Sequence, residues 1–204
     1  MSSEEPSHGG TGARGETRIE EPTAAERGVA RRAAESRATV PALELSVEMR
    51  GEGASTARLV RACALALAEH PRANAAYRDG RFELYSRVNV GVVVATDDTY
   101  AIPTVFDADR QSLAELEQAV ELLEAGATAG TLTAPAFTAA TCTVWNAGAL
   151  GIAAASIPVV PPQAAALAAG TRALTLCSDH RILYGARAAA FLEAVAHHLD
   201  RDGV

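Results

Sequence analysis

The spacing of hydrophobic and polar positions changes several times along the chain, and each change predicts an element. Leu43, Leu45, Val47 and Met49 alternate with Glu44, Ser46 and Glu48, the period of two expected of a strand with one buried face. Residues 26–37, rich in Ala and Arg, predict a short helix that Val40-Pro41 stops. Arg50-Gly51-Glu52-Gly53 reads as a turn. TARLVRACALALAE, residues 56–69, then predicts a helix that is apolar almost all round and therefore buried, closed by His70-Pro71. Residues 81–86 alternate again, while residues 88–95 are almost continuously apolar, the pattern of a central strand covered on both faces. Residues 100–105 continue the sheet after a turn at Asp97-Asp98.

Residues 112–125 form the clearest helix. Ser112 and Glu115 make a capping box, Leu113, Leu116, Val120 and Leu123 share a face, and Gly126 is the expected C-cap. TCTVWN, residues 141–146, predicts a strand, and two further strands flank Gly170-Thr171 as a tight hairpin. Residues 185–199 predict an amphipathic helix resting on Ala188, Phe191, Leu192, Val195 and Leu199. Helices and strands interleave with hairpin-like neighbours, so the pattern predicts one α+β domain with a mixed or mostly antiparallel sheet and helices packed on it. Residues 1–25 hold almost no large apolar side chain and predict a disordered tail, which leaves residues 26–204 as the domain.

Composition narrows the function classes. The 204 residues carry a net charge of −7, which argues against a nucleic-acid binder. No apolar run is long enough to span a membrane, and the N-terminus lacks the order of a signal peptide. Alanine supplies much of the 49% hydrophobic content, against nine aromatic residues, so large aliphatic side chains must carry the core. Cys63, Cys142 and Cys177 are odd in number, far apart and set in apolar runs. They read as buried thiols of a reducing, cytoplasmic compartment, and neither they nor the histidines stand at metal-ligand spacing.

Of the five histidines, His8 falls in the tail, His70 reads as a helix C-cap, and His197 and His198 as a solvated helix end. His180 remains, in Ser178-Asp179-His180-Arg181, where a strand ends before the last helix. That is a place for a general base, although a structural His–Asp pair fits the same residues.

At DHRILYGARAAAFLEAV the chain resembles the dihydrolipoyl acyltransferases of 2-oxoacid dehydrogenase complexes, which share the chloramphenicol acetyltransferase-like fold. The likeness continues in order through AAESRATVPALELSVEM, LVRACALALAEHPRANAAY, VNVGVVVATDDTYAIPTVFDADRQSLAEL, TCTVWNAGALG and SIPVVPPQAAALAAG, covering about residues 26–200. It implies a trimer, or a multiple of trimers, with a tunnel at each subunit interface. It also implies acetyl-CoA as acyl donor and His180 as the base that deprotonates the attacking thiol or hydroxyl, with no metal required.

The departures fall around the base. The resemblance sets an Asp or Asn four residues after the histidine, where this chain has Tyr184. It sets a Ser or Thr hydroxyl before Asn146, where this chain has Trp145, whose indole N–H either replaces the hydroxyl donor or fills a pocket. Val160 stands where an Asn is usual. Trp145 and Asn146 are expected to line the tunnel, and Tyr184 to orient the loop or touch substrate. The N-terminal tail is too short for a lipoyl domain, so no lipoyl group is expected on the chain.

These features predict a stand-alone bacterial transferase that moves an acetyl or other short acyl group to a hydroxyl of a natural product of tetronate or polyketide type. Coenzyme A or an acyl carrier protein would be the donor. The alternatives are a non-catalytic or altered-reaction homologue that keeps the trimeric scaffold, and a minimal dihydrolipoyl acyltransferase core.

Overall fold

The structure, a computed structural model, describes residues 9–13, 15–49, 53–96 and 99–201. Residues 50–52 of the turn expected at residues 50–53, the turn expected at Asp97-Asp98, and His8 lie outside these residues. A two-stranded hairpin, β1 (Gly9–Gly12) and β2 (Gly15–Thr17), lies within the stretch expected to carry no fixed structure. Helix α1 (Ala24–Thr39) begins two residues before the expected start, because Thr23 and Glu26 form a capping box there. Then follow β3 (Ala42–Glu48), α2 (Thr56–Glu69), the hairpin β4 (Ala75–Arg78) and β5 (Arg81–Leu84), and β6 (Val90–Val92). The short strands β7 (Val94–Ala95), β8 (Tyr100–Ala101) and β9 (Thr104–Val105) precede α3 (Leu113–Thr128). The chain ends in β10 (Cys142–Asn146), β11 (Ala165–Ala169), β12 (Ala173–Asp179) and α4 (Gly185–Arg201).

Six strands form one mixed sheet in the order β3-β12-β11-β10-β6-β9. β10 runs parallel to β11 and β6, and the other pairs are antiparallel. The registers line side chains into rows across the strands. Leu45, Leu176, Leu167, Val144 and Val92 form one row on the inner face, where the main core cluster joins them to α2, α3 and α4. Removing each such side chain from water contributes about 1.5–3 kcal/mol. The rows of opposite parity, Ser46-Thr175-Ala168-Trp145 and Glu44-Cys177-Ala166-Thr143, form the outer face. There the Ser46 and Thr175 hydroxyls meet at 3.0 Å, and the Cys177 thiol donates to Glu44 at 3.3 Å.

The helices follow their sequence patterns. α2 buries eight of its residues, including Leu59, Val60, Cys63 and Leu67. α4 buries the five side chains anticipated from its spacing. His70 caps α2, its N–H bonded to Ala66, and sets its ring edge against Phe191 at 6.0 Å. His198 is not simply solvated: it pairs with Glu69 of α2 at 3.0 Å.

The expected cap at Gly126 is corrected. α3 continues to Thr128, and Gly126 is small because a Cβ there would stand 2.6 Å from Leu132. Gly130, at φ +66°, supplies the left-handed residue instead.

On the outer face, residues 151–160 cross the β11–β12 hairpin. Thr171 and Arg172 donate backbone N–H groups to the carbonyls of Ile152 and Ala153. A Cβ on Gly170 would meet the Ala153 carbonyl oxygen at 2.2 Å. The C-terminal half of α1 docks alongside, where the Ser36 hydroxyl donates to the Val159 carbonyl at 2.6 Å. Val40 and Ile157 pack there against Val159, Ala166 and Cys177. Gly170→Ala is therefore expected to lower unfolding stability by about 1–3 kcal/mol in urea titration, as overpacking does. An unchanged midpoint would show that residues 151–160 do not press on the hairpin.

Candidate active site

The loop after β12 is fixed from several sides before it presents His180. The His180 N–H donates to the Pro41 carbonyl at 2.8 Å, which extends the β3–β12 ladder by one bond. Asp179, 2% exposed, receives the Arg181 backbone N–H at 3.0 Å, its Nε at 2.9 Å and its Nη2 at 2.6 Å. That pairing raises the Arg181 pKa above the usual guanidinium range, and the guanidinium lies 5.0 Å from the Tyr77 ring centre. Ile182 and Leu183 are buried and anchor the far side, their N–H groups bonded to the Asp179 carbonyl. The Ser178 hydroxyl lies 3.3 Å from the Leu183 carbonyl and closes the turn.

The His–Asp alternative is therefore corrected: Asp179 is committed to Arg181. His180 itself is exposed, and its ring makes no hydrogen bond among the described residues. A rigid backbone holding an unengaged imidazole in solvent is an arrangement able to accept a proton from a substrate.

Trp145 and Asn146, adjacent in sequence, are separated by strand parity. Trp145 projects on the outer face. Asn146 projects inward, where its amide donates to the Ala54 carbonyl at 3.0 Å and the Thr56 hydroxyl at 3.3 Å. Its Oδ1 accepts the Ala149 N–H at 3.2 Å. Asn146 thereby ties the end of β10 to the start of α2 and borders neither of the hollows described below. Tyr184 is 48% exposed, its hydroxyl has no partner among the described residues, and its ring lies beside the Arg187 guanidinium at 5.5 Å. Its carbonyl accepts the Arg187 N–H at 3.1 Å at the start of α4.

Two connected hollows lie on the outer side. The larger, about 960 Å³, runs between α1 and the residues around β5, β8 and β10, with Arg31, Arg32, Arg78 and Arg87 on its walls. Arg87 is paired with Asp107, and Arg78 lies 3.6 Å from Glu83. Arg31 and Arg32 have no acidic partner among the described residues. The smaller, about 220 Å³, is lined by Trp145, Val93, Tyr100, Ile102, Ile157 and Val159 among others. Arg32, Tyr100, Ile102, Thr143 and Val160 border both. The Trp145 indole N–H makes no hydrogen bond among the described residues.

Sequence reasoning missed Arg31, Arg32, Tyr100 and Ile102. The spacing of Gly28, Arg31, Arg32 and Ser36 on one face of α1 was the available signal. Among the described residues no three His, Cys, Asp or Glu side chains could hold a metal. Burial and the Glu44 carboxylate push the Cys177 thiol up to about 12, so it stays protonated.

The registers also fix how far apart the base and the hollow lie. Trp145 pairs with Ala168, and Ala168 with Thr175. His180 is five residues beyond Thr175 and two strands from β10, which places the two Cα atoms about 19 Å apart. One chain therefore does not bring His180 to Trp145.

The chain is 32% identical over 162 residues to component 3 of the dihydrolipoyllysine-residue acetyltransferase of the mitochondrial pyruvate dehydrogenase complex of Arabidopsis thaliana. That match covers 70% of this chain and 30% of the relative, so the chain spans about a third of that relative's length. The fold superposes on the dihydrolipoamide acetyltransferase of Azotobacter vinelandii with a TM-score of 0.84 at 23% identity, covering 91% of this chain and 92% of the other. A serine, a histidine and an asparagine four positions beyond the histidine have been investigated in the catalytic mechanism of that enzyme. A more distant likeness, TM-score 0.54 at 14% identity over 83% and 94% of the two chains, joins it to chloramphenicol acetyltransferase. The sequence model for the catalytic domain of 2-oxoacid dehydrogenase acyltransferases matches residues 42–202, and the chain belongs to that family.

Proposed function

We propose that the protein transfers short acyl groups between the thioester of acetyl-CoA and a thiol of dihydrolipoyl type, at a site completed by two copies of the chain. The observation that carries this reading is the separation of an unengaged His180 from the hollow beside Trp145. A second copy that brings its own His180 over that hollow completes the constellation, as the tunnel between subunits implied by the sequence resemblance requires. The cleft suits the donor: Arg31 and Arg32, which have no acidic partner among the described residues, offer guanidinium groups to phosphates, and the cleft encloses about 960 Å³.

His180 takes the proton of the attacking thiol as the sulfur adds to the thioester carbonyl. The oxygen gains negative charge, and the Trp145 indole N–H, which makes no hydrogen bond among the described residues, is the donor nearest in kind to the hydroxyl expected there. Collapse expels the coenzyme A sulfur, which takes the proton back from His180. The Arabidopsis relative is an acetyltransferase component of a pyruvate dehydrogenase complex and the Azotobacter neighbour a dihydrolipoamide acetyltransferase, which favours a dihydrolipoyl thiol over the hydroxyl of a natural product as acceptor. A non-catalytic scaffold is the second reading, favoured by Trp145 and Tyr184.

With acetyl-CoA and dihydrolipoamide, the wild-type chain is expected to form S-acetyl-dihydrolipoamide, and His180→Gln to lower kcat by about 10²–10⁴-fold with little change in KM. Equal background rates for both would favour the non-catalytic reading. Asp179→Asn leaves Arg181 with a poorer acceptor and is expected to cost about 1–3 kcal/mol in urea unfolding and to lower kcat with it.

A further inference from the structure

The small hollow beside Trp145 has a composition unlike the cleft it opens from. Its walls are Val93, Ile102, Ile157, Pro158, Val159 and Val160 with the faces of Tyr100 and Trp145. Two of its three hydroxyls are already spent: Thr143 lies 2.8 Å from the Gln163 side-chain oxygen, and Ser36 bonds the Val159 carbonyl at 2.6 Å, while the Tyr100 hydroxyl makes no hydrogen bond among the described residues. Gln163 is itself held by the Ala140 carbonyl at 3.2 Å, so Thr143 is not free to turn into the space. A ligand group entering there finds mostly apolar surface, with the Trp145 indole N–H as a donor and, at the mouth shared with the cleft, Arg32 and the Tyr100 hydroxyl.

The size matters as much as the lining. A cavity of about 150 Å³ walled by aliphatic side chains takes a benzene ring. At about 220 Å³ this hollow has room for more than an acetyl methyl, which would leave most of it unfilled. We infer that the hollow is an acyl pocket for a branched or medium-length, uncharged acyl group of about five to eight carbons, with Trp145 and Val160 as its specificity-determining walls. The inference rests on the thioester reading above. It narrows the substrate from short acyl groups in general to those with an apolar tail, the thioester carbonyl lying at the mouth and the tail inside.

Trp145 is the single tryptophan of the chain, so its emission reports occupancy of the pocket without any turnover. The non-hydrolysable S-ethyl, S-(3-methylbutyl) and S-(3-carboxypropyl) thioethers of coenzyme A are titrated against the full chain. Emission is expected to move to shorter wavelength, with Kd falling about fourfold for each added carbon, or about 50-fold from ethyl to 3-methylbutyl. Val93→Phe, which fills the space, is expected to reduce that gain to within about twofold. Equal affinities across the wild-type series, or tightest binding of the carboxyl-terminated tail through Arg32, would overturn the pocket while leaving the thioester reading in place. If no coenzyme A derivative binds, the thioester reading fails, and N-acetyl-S-(3-methylbutyl)cysteamine then tests the pocket alone. A blue shift in wild type that Val93→Phe abolishes supports the pocket, and no shift overturns it.

Discussion

The register of the β10–β11–β12 ladder is the constraint on which the rest of the molecule depends. Strand side chains alternate between faces, so a slip of one residue would turn Trp145 into the core and Asn146 out of it. The register is pinned by the inner row of Leu176, Leu167 and Val144 under the helices. It is pinned again at the hairpin, where only a glycine at position 170 lets the Ala153 carbonyl approach. With the register set, β12 carries His180 past the end of the sheet, and Trp145 stays near its middle on the other side of β11. The distance between them follows from strand geometry and does not depend on side-chain rotamers.

What was legible in the sequence was what neighbouring residues decide among themselves. The capping box of Ser112 and Glu115, the buried stripe of α4, the alternation of β3 and the Gly170 hairpin all rest on contacts within an element or across one turn. The site was legible only in part, for the same reason. His180 stands out because a strand ends beside it. The sequence allowed a structural pair between His180 and Asp179, whereas the folded turn gives Asp179 to Arg181, two residues on. Asn146 was singled out through the family resemblance at TCTVWN. Its amide is instead spent on Ala54 and Thr56, some 90 residues earlier, a contact no local pattern encodes. The arginines of α1 reach the cleft only because Ser36 docks that helix on Val159.

The departures from the family pattern sort themselves by position. Tyr184 lies in solvent at the start of α4, where a large ring displaces nothing in the core. Trp145 and Val160 border the same small hollow, so the two substitutions change one space together. A donor-only indole in place of a hydroxyl, and a branched aliphatic in place of an amide, both make that space drier. On the proposed reading, the altered residues act on what the protein accepts more than on the base that His180 would provide.

The central claim is that base and hollow come from different copies of the chain. Its most direct measurement is complementation: His180→Gln and Trp145→Ala chains, each impaired alone, are mixed, dissociated and reassembled in equal amounts, and turnover is compared with wild type. If each site takes His180 from one copy and Trp145 from the next, about a quarter of the interfaces pair two intact halves, and about a quarter of wild-type activity returns. If one chain holds the whole site, mixing restores nothing above the sum of the two variants, and the account is contradicted.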